Sequence, residues 1–236
     1  YEIADRDWSS DVCSSDLTLH FYIRFSTKFG QSLYISGNTA ALGNDDFSNA
    51  FAIEYLNESL WHGSIIIDAA KDINNIRYKY ILREPGKEET VEFGDDRIIA
   101  IDTITADEVV LVDTWNFAGE TENVYFTQAF QDVLLKGSKV VPAAASKALK
   151  TYTHEFRVKA PVLKENEVVC VTGTAVNLNN WSTEKPVVLS KNKTWWKVRV
   201  SLAKETFPVS YKYGIYNIKD KKFVAFEAGD NRTLIG

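Results

Sequence analysis

Tyr78-Lys79-Tyr80, followed by Glu92-Phe93-Gly94-Asp95-Asp96-Arg97, comes back as Tyr211-Lys212-Tyr213 followed by Glu227-Ala228-Gly229-Asp230-Asn231-Arg232. Upstream, Tyr34-Ile35-Ser36-Gly37, Ala41-Leu42-Gly43-Asn44-Asp45 and Leu60-Trp61-His62-Gly63 are answered by Cys170-Val171-Thr172-Gly173, Asn177-Leu178-Asn179-Asn180-Trp181 and Trp195-Trp196-Lys197-Val198. Landmarks in one order, at a spacing of about 135 residues, mark two copies of one domain, because so long a period exceeds any solenoid unit. The 236 residues accommodate two such copies, each near the commonest domain size of roughly 100–150 residues.

Within each copy the hydrophobic period is two. Thr18 to Phe25 alternates Leu19, Phe21, Ile23 and Phe25 against Thr18, His20, Tyr22 and Arg24. Trp61 to Ile67, Ile76 to Leu82 and Val109 to Val112 read the same way. So do Thr153 to Val158, Val168 to Thr172, Trp195 to Leu202 and Val209 to Tyr216. β-Branched and aromatic residues fill these runs, while Gly, Asn, Asp and Lys punctuate them, as strands and turns require. Short strands at regular spacing with little helical signal predict an all-β fold of two tandem immunoglobulin-like antiparallel β-sandwich modules.

The expected boundaries are 18–114 for the first module, 115–151 for a connector and 152–236 for the second module. Thr127 to Leu135 sets Phe130, Val133 and Leu134 on one side of a short amphipathic helix, and Pro142-Ala143-Ala144-Ala145-Ser146 reads as a linker. After Arg97 the first copy continues through Ile98–Ile101 and Glu108–Val112, whereas only four residues follow Arg232. The second module is therefore expected to be incomplete at its C-terminal end, with an exposed closing edge. The chain has no methionine, so a fragment or a processed product is expected. Asp7 to Leu17 looks like the conceptual translation of a sequencing-adapter oligonucleotide, so residues 1–17 are set aside from fold reasoning.

A net charge of −5 with no basic stripe argues against nucleic acid as a partner. No apolar run approaches the roughly 18 residues of a membrane span. With Cys13 in the segment set aside, Cys170 stands alone among valines as a small buried hydrophobe, so no disulfide forms and a reducing, cytoplasmic compartment is expected. His20, His62 and His154 lack partners at metal-ligand spacing and read as solvent-facing strand residues. Neither a phosphate loop nor a nucleophile elbow is present, and no cofactor is expected. Asp45-Asp46, Glu88-Glu89 and Asp95-Asp96 lie in turn-like stretches as solvated loop charges rather than as a hydrolytic pair.

Trp181 is more informative. It lies in the polar loop Leu178-Asn179-Asn180-Trp181-Ser182-Thr183-Glu184-Lys185-Pro186. An exposed indole suits the apolar C–H face of a sugar ring, with Lys and Asn nearby to orient hydroxyls. A tryptophan plugging the end of the sandwich satisfies the same sequence.

The series Val-x-Gly, Leu-x-Asn-Trp, Trp-x-Val-x-Val, Tyr-Lys-Tyr and Glu-x-Gly-x-Asn-Arg resembles the starch-binding modules of carbohydrate-binding family 20, across 18–114 and 152–236. In that family one binding face combines the loop tryptophan, the lysine of the Tyr-Lys pair, a tryptophan just before the Glu-x-Gly turn, and the turn asparagine. The resemblance places these roles on Trp181, Lys212, Phe226 and Asn231, with Phe226 replacing a tryptophan and offering less stacking area. It also implies that Trp61 and Trp196 are core residues and that Trp195 points outward, its role open. In the first copy the same positions hold Asp45, Lys79, Val91 and Asp96, which leaves no platform. A second face built from two tyrosines in the family falls near Phe29 and Tyr55, while the second copy offers only Lys164 and Glu165 near the former.

The tandem with its connector also resembles the front end of amylomaltase-type 4-α-glucanotransferases, glycoside hydrolase family 77, whose catalytic acids lie in a barrel domain outside this chain. The expected function is non-catalytic binding of starch- or glycogen-type α-glucans, with that catalytic domain as the further partner. The alternative is a pair of structural sandwiches that pack on a catalytic domain without holding sugar.

Overall fold

Alternation of apolar and polar side chains sets the strands. In β1 (Asp16–Arg24), Leu17, Leu19, Phe21 and Ile23 are buried and the residues between them face outward, the period of two of a half-buried strand. The computed structural model describes residues 16–68, 75–127, 130, 152–160, 162–192 and 195–235. β1 starts at Asp16, so the last two residues of the segment set aside extend the ladder, and Leu17 joins the core. The chain divides into two compact units, Tyr1–Glu120 and Thr121–Gly236. The helix expected over 127–135 and the linker at 142–146 lie outside the described residues, save Thr127 and Phe130.

In the first unit, β4 (Glu54–Asn57), β5 (Leu60–Asp68), β1 and β9 (Glu108–Thr114) form one sheet in that order. The second sheet contains β3 (Phe51–Ala52), β2 (Ser32–Gly37) and β6 (Asn75–Arg83), with β7 (Thr90–Val91) and β8 (Arg97–Ala100) both pairing β6. Their inner faces share one core, in which Phe21, Ile65 and Trp61 of one sheet meet Leu33, Ile35 and Tyr80 of the other. One pair departs from the antiparallel expectation: β9 runs parallel to β1, from Thr18 opposite Glu108 to Arg24 opposite Thr114. Residues 101–107 carry the chain away from β8 before β9 begins, so no tight hairpin forces the antiparallel direction.

The second unit repeats the plan. β10 (His154–Lys159), β14 (Trp195–Val200) and β13 (Ser190–Asn192) form one sheet. β12 (Val187–Val188), β11 (Glu167–Gly173), β15 (Val209–Asn217) and β16 (Lys222–Phe226) form the other, with β17 (Arg232–Leu234) on β15. The repeat extends to ring geometry. Phe21 meets Tyr78 edge-on at 5.1 Å, and Phe156 meets Tyr211 at 4.9 Å. Trp61 and Trp196 are both buried, as the family resemblance implied. Among the described residues β10 is an edge strand, with nothing in the place that β9 takes beside β1.

Gly37 and Gly173 end their strands for one reason. A Cβ at Gly173 would collide with the Ser210 carbonyl and stand 2.9 Å from Leu178 Cδ1. At Gly37 it would collide with the Arg77 carbonyl and stand 2.8 Å from Leu42 Cδ1. The loop that follows can fold down onto the sheet only if no side chain is there.

Cys170 is buried on the second unit's β11, and burial pushes its thiol up to about 12. It remains a protonated packing residue at neutral pH. His154 departs from the solvent-facing expectation: its ring stacks on Phe207 at 5.7 Å, and burial lowers its pKa. His20 and His62 do face outward, both bonded to Ser64 Oγ, at 2.7 and 3.2 Å.

Gly173→Ala is expected to destabilise the second unit by about 1–3 kcal/mol, the cost of overpacking a closed site. Urea unfolding followed by intrinsic fluorescence would read it, and an unchanged midpoint would refute the steric account.

Candidate functional site

The second unit's site begins with backbone shape. Asn179, Asn180 and Trp181 adopt three successive left-handed conformations, with φ of 58°, 47° and 61°. Such a run is costly for residues with a Cβ, and asparagine tolerates it best because its short amide can bond locally. The loop is held by several contacts. Thr172 Oγ1, buried, donates to the Leu178 carbonyl at 3.0 Å, and Asn180 N donates to Ala175 O at 3.2 Å. Asn179 Nδ2 donates to the Lys185 carbonyl, and Tyr216 OH to Glu184 O at 3.2 Å. Trp181 is half-buried, neither sealed in the core nor standing clear of the surface.

Register brings in the next two residues. Lys212 pairs with Thr172 across β11 and β15, so it lies beside the residue that anchors the tryptophan loop. Two residues along β15, Gly214 pairs with Phe226 of β16. Period two puts Lys212 and Phe226 on the same face. Phe226 is 41% exposed, tilted against Phe223 with ring centroids 4.5 Å apart.

The turn after Phe226 is tied down from both sides. Lys212 Nζ donates to the Gly229 carbonyl, and Arg232 donates to both oxygens of Glu227 at 2.9 and 2.8 Å. Glu227 in turn accepts from Tyr213 N at 3.0 Å. Asn231 rides exposed on this turn. An ammonium has three donors, so Lys212 keeps capacity for a ligand after holding the turn. The turn-holding role of Lys212 was not visible in the sequence; the signal was the recurrence of Tyr-Lys-Tyr ahead of Glu-x-Gly in both copies.

In the first unit the same backbone carries different side chains. Gly43, Asn44 and Asp45 repeat the left-handed run at φ of 85°, 53° and 62°. Lys79 Nζ donates to the Gly94 carbonyl at 2.8 Å, as Lys212 does to Gly229. Where the second unit has Trp181 and Asn231, the first has Asp45 and Asp96, and Arg77 bridges the two carboxylates at 3.1 Å each. Lys79 adds a contact to Asp96 at 3.5 Å. Asp45 and Asp96 are thus tied into a charge network, rather than standing as solvated loop charges. Exposed pairs of this kind contribute little to stability; their consequence here is to occupy the surface. Ser36, at the position of Thr172, has a buried hydroxyl without a partner among the described residues, so this anchor of the loop is absent.

The remaining candidates are apart. Phe29 is fully exposed at the tip of the turn before β2, where Lys28 N donates to Gln31 Oε1 at 2.8 Å. Tyr55 lies on β4 of the other sheet, edge-on to Trp61 at 5.4 Å. Among the described residues no three His, Cys, Asp or Glu side chains gather in a way that could hold a metal ion. No helix there is long and apolar enough to cross a membrane.

A family model described as "Starch binding domain" matches residues 16–110 and 152–235. Among curated proteins, the chain is 27% identical over 234 residues to the 4-alpha-glucanotransferase DPE2 of Oryza sativa subsp. japonica, an alignment covering 92% of this chain and 24% of that protein. The chain thus spans about a quarter of the length of this relative. Among solved structures, it is similar to the glycoside hydrolase family 15 glucoamylase from Hypocrea jecorina, at 30% identity over 43% of this chain and 17% of that one, with a TM-score of 0.39. It is also similar to the family 20 carbohydrate-binding module of the maltotetraose-forming amylase from Pseudomonas saccharophila STB07, at 19% identity over 42% of this chain and 100% of that one, with a TM-score of 0.35.

Thr172→Val keeps the shape of the anchor and removes its hydroxyl, leaving the Leu178 carbonyl unpaired. The expected loss is about 1–3 kcal/mol, the cost of a buried unsatisfied acceptor. Chemical denaturation would measure it, and amide exchange across 178–182 should quicken at the same time.

Proposed function

We infer, since this chain belongs to the starch binding domain family, that its second unit binds α-1,4-glucan chains without acting on them. Trp181 and Phe226 form the platform on which glucose rings stack, and Lys212 and Asn231 donate hydrogen bonds to the hydroxyls. The observation that carries this reading is the pairing of a preset left-handed tryptophan loop with an exposed aromatic on the Lys212 face. Each stacked ring contributes about 0.5–1.5 kcal/mol beyond its buried area, so one such site binds weakly.

The first unit takes a different part. Its corresponding face is filled by Arg77, Asp45, Asp96 and Lys79, which favours a spacer or packing role there. Two modules raise avidity only when both engage, and in this reading only one does. We place the chain in the glucan-binding part of a 4-α-glucanotransferase, with the transfer chemistry in a catalytic domain outside these residues. Its likeness to the rice 4-alpha-glucanotransferase supports that placement.

Calorimetric titration with β-cyclodextrin and maltoheptaose is expected to give one weak site per chain. Trp181→Ala should abolish it, and Lys79→Ala should leave it unchanged. Absence of heat with either ligand would sink the reading, while binding that survives Trp181→Ala would transfer the site to Phe29 and Tyr55. Phe226→Trp enlarges the platform and should tighten maltoheptaose about two- to tenfold, the range that one aromatic contact spans.

A further inference from the structure

Register lays out the outward side chains of the second unit's smaller sheet as a grid. β10 presents Glu155, Arg157 and Lys159, and β14 sets Arg199, Lys197 and Trp195 beside them in that order. β13 adds Ser190 next to Lys197 and Asn192 next to Trp195. The alternate residues Phe156, Trp196, Val198 and Val200 belong to the core, so this grid is the solvent side of the sheet.

Among the described residues its charge is mainly positive. Arg157 and Arg199 each donate to one oxygen of Glu155, the latter at 2.7 Å, and Lys197 Nζ stands 3.9 Å from that carboxylate. Three cations thus converge on the Glu155 carboxylate, while Lys159 lies over the rings of Trp195 and Phe126, 4.9 and 5.2 Å from their centroids. Burial and the nearby Arg157 lower the pKa of Lys197 in spite of Glu155. The side chains of Arg157, Lys197 and Arg199 remain 44%, 33% and 39% exposed. The corresponding positions of the first unit hold His20, Ser64, Tyr22, His62 and Leu60, where Arg24 is balanced in sign by Glu54. A net charge of −5 for the whole chain conceals the contrast, and no basic stripe is visible in the sequence because the cations come from two strands about forty residues apart.

We propose that this face is a second ligand surface, one that takes phosphate-bearing α-glucan. Arg157, Lys197 and Arg199 hold the phosphate monoester, and Trp195 with Asn192 receives the adjoining glucose ring. Guanidinium groups match phosphate oxygens in geometry as well as charge, and Lys supplies a compact third cation. The indole beside them is what an anionic sugar needs and a bare anion does not. The glucan part of the proposal rests on the function inferred above, because a chain held at Trp181 raises the local concentration of its own phosphorylated segments.

The test uses the Trp181→Ala chain, so that the first site is silent. It is titrated with maltoheptaose, with maltoheptaose carrying one 6-phosphate, and with inorganic polyphosphate. The phosphorylated ligand should bind about tenfold or more tighter than the plain one, the effect of a hydrogen-bonded charge, and weaken as salt rises. Arg157→Gln with Lys197→Gln should remove that preference, as should Trp195→Ala, with circular dichroism confirming the fold of each. Equal binding of the two sugars, or a preference indifferent to these substitutions, overturns the proposal. Polyphosphate binding as tightly as the sugar phosphate, with no effect of Trp195→Ala, also overturns it by making the face a general polyanion or acidic-protein surface. If the unmodified chain binds no maltoheptaose yet the phosphate preference persists, the first reading fails and this one stands.

Discussion

Arg232 grips both oxygens of Glu227, and Arg97 grips both oxygens of Glu92 at 2.9 and 2.8 Å. Each carboxylate also accepts the backbone N–H of a core tyrosine, Tyr213 or Tyr80. This bidentate clamp closes the turn after the stacking position, pins that turn to the central strand, and satisfies a buried donor in one arrangement. For Arg97, burial works against the charge, yet Asp113 and Glu92 outweigh it and hold the guanidinium above its ordinary range. In the first unit, where the Glu92 side chain is buried, removing Arg97 would strand that carboxylate without its partner. The lysine that reaches the Gly94 or Gly229 carbonyl finds its target only because the clamp has fixed the turn.

The two units use this frame differently at its far end. In the first, Arg97 also reaches Asp113 on β9 at 2.9 Å, and Tyr78 and Tyr80 both donate to the same carboxylate at 2.8 and 2.9 Å. In the second, Tyr213 donates instead to the Arg157 carbonyl at 3.2 Å. A core network that converges on one strand in the first unit is thus supported by the β10 backbone in the second. The residues that build the fold (glycine, tyrosine, glutamate, arginine and the inner tryptophan) recur in both copies. Of the candidate site only the lysine recurs, as Lys79, whereas Trp181, Phe226 and Asn231 stand where the first copy has Asp45, Val91 and Asp96.

The fold was legible because alternation, turn residues and the repeat all pointed the same way. Trp61 and Trp196 were legible through the family resemblance, which implied that they are core residues, and both are buried on the inner phase of their strands. Features made by convergence of distant segments were not legible. Arg77 reads as an ordinary outward strand residue, and nothing local shows that the loops carrying Asp45 and Asp96 meet above it. The parallel direction of β9 was hidden for a similar reason, since strand direction depends on where the connection travels and not on the strand's composition. That Lys212 and Phe226 share a face was legible only through the family resemblance, because the sequence of either strand alone does not contain the register that brings them together.

The left-handed run bears on how these copies diverged. Gly43-Asn44-Asp45 and Asn179-Asn180-Trp181 hold one backbone course, although one carries a carboxylate and the other an indole. The mould for an aromatic side chain therefore persists in the copy that lacks one. At this loop the two copies differ in side chain and not in backbone course. Duplication of such a frame separates the course of a loop from the side chain it carries, so one copy can differ at its surface while both keep the same fold.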